Sequence, residues 1–232
     1  MSLTNLAPEQ SGYYLRIADQ NDAEALNELR RKAYRNANGH KMSDESVLDW
    51  NETDEQSAII LVANAEDQLV SSVRTLPLFD QHAMEQKFDI RLQEQVPLPT
   101  VAVDRACTDP AYRMLGFTGV NRLILIEACR RIGFASISLT MNDSASRLGF
   151  LKAAGYMVEE ADLSHRSTDS EYVNSGGVMY CQLNASNFDH AIEYSKDQLG
   201  DSLDLFGPEL LHNDDLVDAL CGKWAATAII NQ

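Results

Sequence analysis

The chain has 232 residues, 44% of them apolar and 23% charged, so it can bury a sizeable core and is too apolar for wholesale disorder. Its 35 acidic side chains against 19 basic ones give a formal net charge of −16. That balance does not suit a nonspecific nucleic-acid binder, nor docking on an anionic membrane surface.

Residues 1–12 read as a flexible arm without the basic and apolar regions of a signal peptide. Tyr13–Ala18 alternates as a first strand. Asn21 is expected to cap a helix, with Glu24 in the capping-box position and Leu26, Leu29 and Ala33 on one face. The turn cluster Asn36–Gly39 ends it, and a polar stretch, His40–Gln56, follows. Ser57–Asn64 and Gln68–Leu76 read as strands joined by a short hairpin connection. Asp80–Pro99 is a partly helical insertion, and Thr100–Thr108 is a further strand.

A loop, Asp109–Gly116, leads into an apolar helix over Thr118–Ile132. Phe134–Met141 alternates cleanly, with Ile137, Leu139 and Met141 on one face. A helix from Ser144 to Ala154 ends at Gly155, a natural C′ residue. Strands Tyr156–Leu163 and Gly177–Leu183 flank a polar loop. The tail, 186–232, has nine acidic and two basic residues, and its apolar positions (Leu203, Leu205, Phe206, Leu210, Leu211, Leu216, Leu220, Trp224) predict helices packed on the domain. The order predicts an α/β fold with a mixed (α+β) sheet: an antiparallel front half and a β-α-β crossover in the middle.

Cys107, Cys129, Cys181 and Cys221 are widely spaced, form no C-x-x-C pair and show no metal-ligand spacing with histidine, which reads as reduced thiols in a cytoplasm and no metal. No run of 18 apolar residues suggests a membrane span. The acidic excess is uneven. Residues 105–152 hold seven basic side chains and three acidic ones, a local positive island suited to an anionic ligand.

That island contains Arg113-Met-Leu115-Gly116-Phe117-Thr118-Gly119, between a strand and a helix. A helix start leaves N–H groups without partners at the positive end of its dipole. Gly116 permits close approach or positive φ, Thr118 adds a hydroxyl and Arg113 adds a charge, an arrangement suited to a pyrophosphate. The plainer alternative is that the two glycines only shape a turn.

Arg113-x-x-Gly116-x-Thr118 resembles the acetyl-CoA-binding motif of the GNAT superfamily, with Thr where Gly or Ala is usual. The preceding Cys107–Arg113 run, and Asn142 followed by a helix closing in Ala154-Gly155-Tyr156, are similar to that family too. The resemblance implies a GNAT-like domain over 13–185 with 186–232 as a helical extension. It also implies acyl-CoA contacts at Cys107, Thr108, Arg113, Leu115, Gly116, Phe117, Thr118, Gly119 and Asn142. The tyrosine that the family places four residues before the closing glycine, where it can protonate the leaving thiolate, is Leu151 here.

In the front half, Leu29–Tyr34, Trp50-x-x-x-Asp54, Val73-Arg74-Thr-Leu-Pro77 and Asp104-Arg105 resemble, more loosely, the acyl-homoserine-lactone synthases and long-chain N-acyl amino acid synthases. Two positions depart: the usual glutamate is Ala102, and the glycine of the third motif is replaced near Ser71–Ser72.

These likenesses imply transfer of an acyl group from acetyl-CoA, a longer acyl-CoA or an acyl-carrier-protein thioester to a small amine or amino acid. Backbone N–H groups near Ala106–Thr108 would polarise the carbonyl if the strand bulges. Asp104 is the candidate base, and Arg74, Arg105 and Asp54 would orient the acceptor. Asp104 pairing with Arg105, and an ion pair of Arg74 with Asp54, are the structural alternatives. A CoA- or amino-acid-sensing scaffold without turnover, and an interaction protein working through the acidic tail, remain as rival functions.

Overall fold

The computed structural model describes residues 12–35, 40–41, 45–164, 173–174, 177–206 and 214–230. The turn Asn36–Gly39, the arm before Gly12 and the tail positions Leu210 and Leu211 lie outside them.

One seven-stranded sheet organises the molecule. Its strands are β1 (Tyr13–Ile17), β3 (Ala58–Asn64), β4 (Leu69–Leu78), β5 (Thr100–Thr108), β6 (Ser136–Asn142), β7 (Met157–Glu160) and β9 (Val178–Asn184), in the order β1-β3-β4-β5-β6-β9-β7. The short strands β2 (His40–Lys41) and β8 (Val173–Asn174) pair separately. Every pairing in the large sheet is antiparallel except β5 with β6. A parallel pair needs a crossover, and helix α4 (Phe117–Ile132) supplies it.

Alternation along the strands buries both faces of the sheet. Ile59, Leu61 and Ala63 pack with α1 (Ala23–Arg35), while Ile60, Val62, Val101 and Ile137 pack with α4. Helix α3 (Gln81–Phe88), in the insertion, sets Met84 and Phe88 against Ala102 and Tyr180. Helices α6 (Phe188–Leu199) and α7 (Asp214–Ile230) join the α4 side, where Trp224 is buried and donates from Nε1 to Thr75 Oγ1 at 3.1 Å.

Two expectations need correction. Asp19, not Asn21, is the cap: it closes a capping box with Asp22 over a 3-10 turn, and α1 starts only at Ala23. The helix expected from Ser144 is shorter, α5 (Leu148–Ala153). Asn142 Oδ1 accepts hydrogen bonds from the Ser144 amide and hydroxyl at 2.9 and 2.6 Å, which holds the preceding residues in a turn.

Candidate active site

The β5–β6 ladder runs from Thr100↔Ser136 to Val103↔Leu139 and stops. Beyond it β5 continues along β4 to Thr108, and β6 continues along β9 to Asn142. The two parallel strands therefore part, and edge amides of β5 past Val103 have no β6 acceptor. A cleft of about 1060 Å³ occupies the opening. It is lined from one sheet face by Tyr34, Lys87 and Phe88 and from the other by Gly116, Arg122 and Leu125, so it passes through the sheet.

A bulge shapes its wall. Between Ser72↔Cys107 and Arg74↔Asp104, one residue of β4 faces two of β5, and Arg105 takes φ +47. Strict alternation would send Asp104 and Arg105 to opposite faces. The bulge brings both side chains to the α1 side.

There they join a buried charge cluster. Asp54, 1% exposed, sits in the five-residue helix α2 (Glu52–Gln56). Its carboxylate accepts hydrogen bonds from Arg30 at 2.6 and 3.2 Å and from Arg105 at 3.1 Å, and Arg74 lies at 3.3 Å. Arg105 also donates to the carbonyls of Val47 and Asp49 at 2.6 and 3.2 Å. Asp104 accepts a two-point grip from Arg74 at 2.7 and 2.6 Å and lies 2.7 Å from Lys87 Nζ. Burial alone would raise the pKa of Asp104, but Arg74 and Lys87 outweigh it and hold the carboxyl well below its ordinary value. Asp54 is lowered in the same way against burial, by Arg30 first. Burial pushes Lys87 down, against the pull of Asp104. Arg30, Arg74, Arg105 and Lys87 thus gather around Asp54 and Asp104, four cations about two carboxylates in these contacts. Arg105 Nε is buried with no partner.

The opposite mouth is built by the loop after β5. Asp109 starts it, accepting from the Ala111 amide at 2.9 Å and from Lys32 at 2.6 Å. Met114 at φ +70 and Gly116 at φ +83 then turn the chain into α4. Gly116 is the N-cap and makes no side-chain cap. Gly119 and Val120 donate back to the Gly116 carbonyl at 2.8 and 3.0 Å, so the amides of Phe117 and Thr118 lack an intrahelical acceptor. A Cβ on Gly116 or Gly119 would stand 2.9 or 2.8 Å from Leu199 Cδ2, so both glycines also let α6 pack beneath the loop. Arg113 donates to the Ala33 carbonyl at 3.3 Å. Among the described residues no carboxylate pairs with Arg122 or Arg147, which line this mouth.

Of the residues singled out in the sequence, Asp104, Arg105, Cys107, Thr108, Arg113, Gly116, Phe117, Thr118, Gly119 and Asn142 line the cleft. Leu115 instead packs on the core, and Arg74 and Asp54 stand behind the wall. Cys107 Sγ lies 3.2 Å from Ser72 Oγ, and burial raises its thiol, so it is not poised as a nucleophile. Asp104 pairs with Arg74 and Lys87, not Arg105. Arg30 was legible as a neighbour of Leu26, Leu29 and Ala33 on one helical stripe. Tyr156, the last residue of the closing Ala154-Gly155-Tyr156 run, also lines the cleft, as does Lys87, which carried no motif signal.

No family model matches the chain, and no curated protein matches it. Solved structures share its fold. An N-acyl amino acid synthase from uncultured soil microbes is 12% identical, with a TM-score of 0.56 over 80% of this chain and 99% of that one. A CoA-dependent acyl-homoserine lactone synthase, solved with SAM and isopentyl-CoA, is 15% identical, with a TM-score of 0.55 over 82% and 90%. A GNAT-family acetyltransferase from Staphylococcus aureus Mu50 is 14% identical, with a TM-score of 0.52 over 75% and 99%. The chain has the mixed α/β fold of the GNAT acetyltransferases, shared with these synthases.

Proposed function

We propose that the chain is an N-acyltransferase that passes the acyl group of an acyl-CoA to the amine of a small acceptor carrying a carboxylate, such as an amino acid. The observation that carries this is the through-sheet cleft with its two unlike mouths.

At one mouth the free amides of α4, with Arg113, Arg122 and Arg147, suit the phosphates of CoA. The donor chemistry fits: N–H groups and guanidiniums converge with no carboxylate among the described residues to neutralise Arg122 or Arg147. Asn142 Oδ1 is taken by its own turn, which leaves Nδ2 for an amide of the pantetheine arm. An acyl carrier protein could present the same arm, and CoA is favoured because it brings phosphates to this mouth.

In the middle, β5 amides beyond Val103 face the opening, where they would stabilise negative charge on a thioester oxygen. Phe88, Leu125, Ile137, Leu139 and Val178 give the cleft apolar walls, which favours an acyl chain longer than acetyl. At the other mouth the four cations gathered about Asp54 and Asp104 favour an anionic acceptor over a polyamine. Asp104 serves there as a fixed charge that orients Lys87 and the incoming amine, not as the base first expected, because its carboxyl holds its negative charge so firmly. The four free cysteines suit a reducing, cytoplasmic setting.

The test is thiol release. Purified chain is mixed with acyl-CoA donors of two to sixteen carbons and with amino acids or their decarboxylated amines. Release that needs an amino acid and favours the longer donors supports the reading. No release with any pair, together with a raised melting temperature on adding CoA, would favour a sensing scaffold instead.

A further inference from the structure

Helix α4 carries three arginines, and they are held in two different ways. Arg130 pairs with Glu127 at 2.6 Å and Asp189 at 3.2 Å, and Arg131 pairs with Asp214 at 2.6 Å and Asp218 at 2.9 Å. Arg122, half-buried on the cleft wall, instead has its guanidinium carbon 4.5 Å from the centroid of the Phe150 ring. The two holds differ chemically. A carboxylate fixes a guanidinium and cancels its charge. An aromatic face attracts the cation through the ring quadrupole and leaves its charge and N–H donors for another anion.

Phe150 is itself held in place. It belongs to α5, which is six residues long and too short to be stable alone. Helix α6 braces α5 at three points. The Tyr194 ring lies 5.3 Å from the Phe150 ring, tilted by 55°. Asn187 Nδ2 donates to the Gly155 carbonyl at 2.9 Å, and His190 Nε2 lies 3.0 Å from the Ala153 carbonyl. A carbonyl only accepts, so the ring proton that serves this contact is on Nε2. Carbonyls at a helix end lack intrahelical donors, so α6 supplies the cap of α5. Gly155, at φ +89, permits the approach: a Cβ there would stand 3.3 Å from His190 Cδ2. At its other end α6 sets Leu199 beneath Gly116 and Gly119. One helix thus touches both the loop that starts α4 and the helix that carries the ring beneath Arg122.

We propose that Phe150 and Tyr194 are positioning residues: the stack from α6 through α5 holds the Arg122 guanidinium at the cleft wall, its charge uncancelled, for a phosphate of acyl-CoA. The proposal rests on the acyl-transfer reading and deepens it. It gives α6, which follows the last strand of the sheet, a part in gripping the thioester donor.

The experiment is titration calorimetry of the full chain with acyl-CoA and with the same acyl group on phosphate-free pantetheine. The parent is compared with Phe150→Leu, Arg122→Gln and the double variant. Phe150→Leu keeps an apolar side chain in α5 and removes the ring face. It should weaken acyl-CoA binding about two- to fivefold and leave the pantetheine thioester unchanged. Arg122→Gln should weaken acyl-CoA about tenfold, and Phe150→Leu should then add nothing further. Phe150→Tyr, which keeps the face, should bind as the parent does, and Tyr194→Leu should act as a milder Phe150→Leu.

Unchanged acyl-CoA affinity in Phe150→Leu overturns the proposal. So does an equal loss for both thioesters, or the same loss in the presence and absence of Arg122, since each means that the ring acts through the fold alone. If Phe150→Leu fails to fold, pentafluorophenylalanine at position 150 keeps the ring's shape and reverses its quadrupole. Unchanged acyl-CoA affinity in that chain overturns the proposal equally. A parent chain that binds no acyl-CoA overturns the acyl-transfer reading itself, a distinguishable result.

Discussion

The two mouths of the cleft solve opposite problems. At the mouth beside Asp54 and Asp104, charged groups are buried and held by one another: Asp54 by itself is in contact with three guanidiniums. At the mouth beside α4, a helix starts without a side-chain cap, and Arg122 and Arg147 face the cleft without carboxylates among the described residues. Each carboxylate of a buried charge network must be paired before any ligand arrives, because a lone buried charge costs too much. An exposed mouth can stay incomplete, since water satisfies it until an anion displaces the water. Substitutions in the first region should therefore damage folding, and those in the second should damage binding.

The largest effect is expected from Asp54→Ala. It leaves Arg30, Arg74 and Arg105 buried around a missing carboxylate, which should cost about 3–5 kcal/mol in denaturant unfolding. A loss below about 1 kcal/mol would mean that water enters the cluster and that the region is not sealed.

Acid should act on the same region. Asp54 and Asp104 have folded-state pKa values below the ordinary carboxylate value of about 3.9. A depressed folded pKa contributes stability that is present above the unfolded value and lost as pH falls through the folded one. Unfolding free energy should fall below about pH 4, and Asp54→Asn should flatten that fall. An equally steep fall in the variant would place the titrating groups elsewhere.

Gly116→Ala tests the seam between the regions and the helical extension. Positive φ costs a residue with a Cβ about 1–2 kcal/mol, and the contact with Leu199 adds to it. Adding Leu199→Ala relieves only part of the steric conflict, since Ser202 Cβ would still stand 3.0 Å away, so the double variant should still bind acyl-CoA less well than the parent. The smallest stability change is expected for Arg147→Gln. That side chain is exposed, so melting should shift by less than about 0.5 kcal/mol, while acyl-CoA affinity falls several-fold. A clear loss of stability with intact affinity would reverse the assignment of the two regions.

Sequence reading recovered what depends on local pattern. Strand Thr100–Thr108 and the loop Asp109–Gly116 stand where alternation and glycine placement put them. A bulge near Ala106–Thr108 entered the sequence reading only as a condition, and the structure sets it at Arg105–Ala106, because a bulge depends on the register of two strands. Asp104 and Arg74 were both recognised as charged site residues. Their mutual grip, and the lysine brought to Asp104 by α3, arise from contacts 30 and 17 residues apart that no periodicity encodes. Tyr156 read as part of a closing turn, since nothing local says that it would line the cleft.

The central claim is that the loop at the start of α4 and its neighbouring arginines grip the phosphates of CoA. Titration calorimetry of the full chain with acyl-CoA, beside the same acyl group on phosphate-free pantetheine, tests it most directly. Acyl-CoA should bind measurably and more weakly as salt rises, and the pantetheine thioester should bind at least about tenfold more weakly. Equal affinity for the two, or no binding of either, would contradict it.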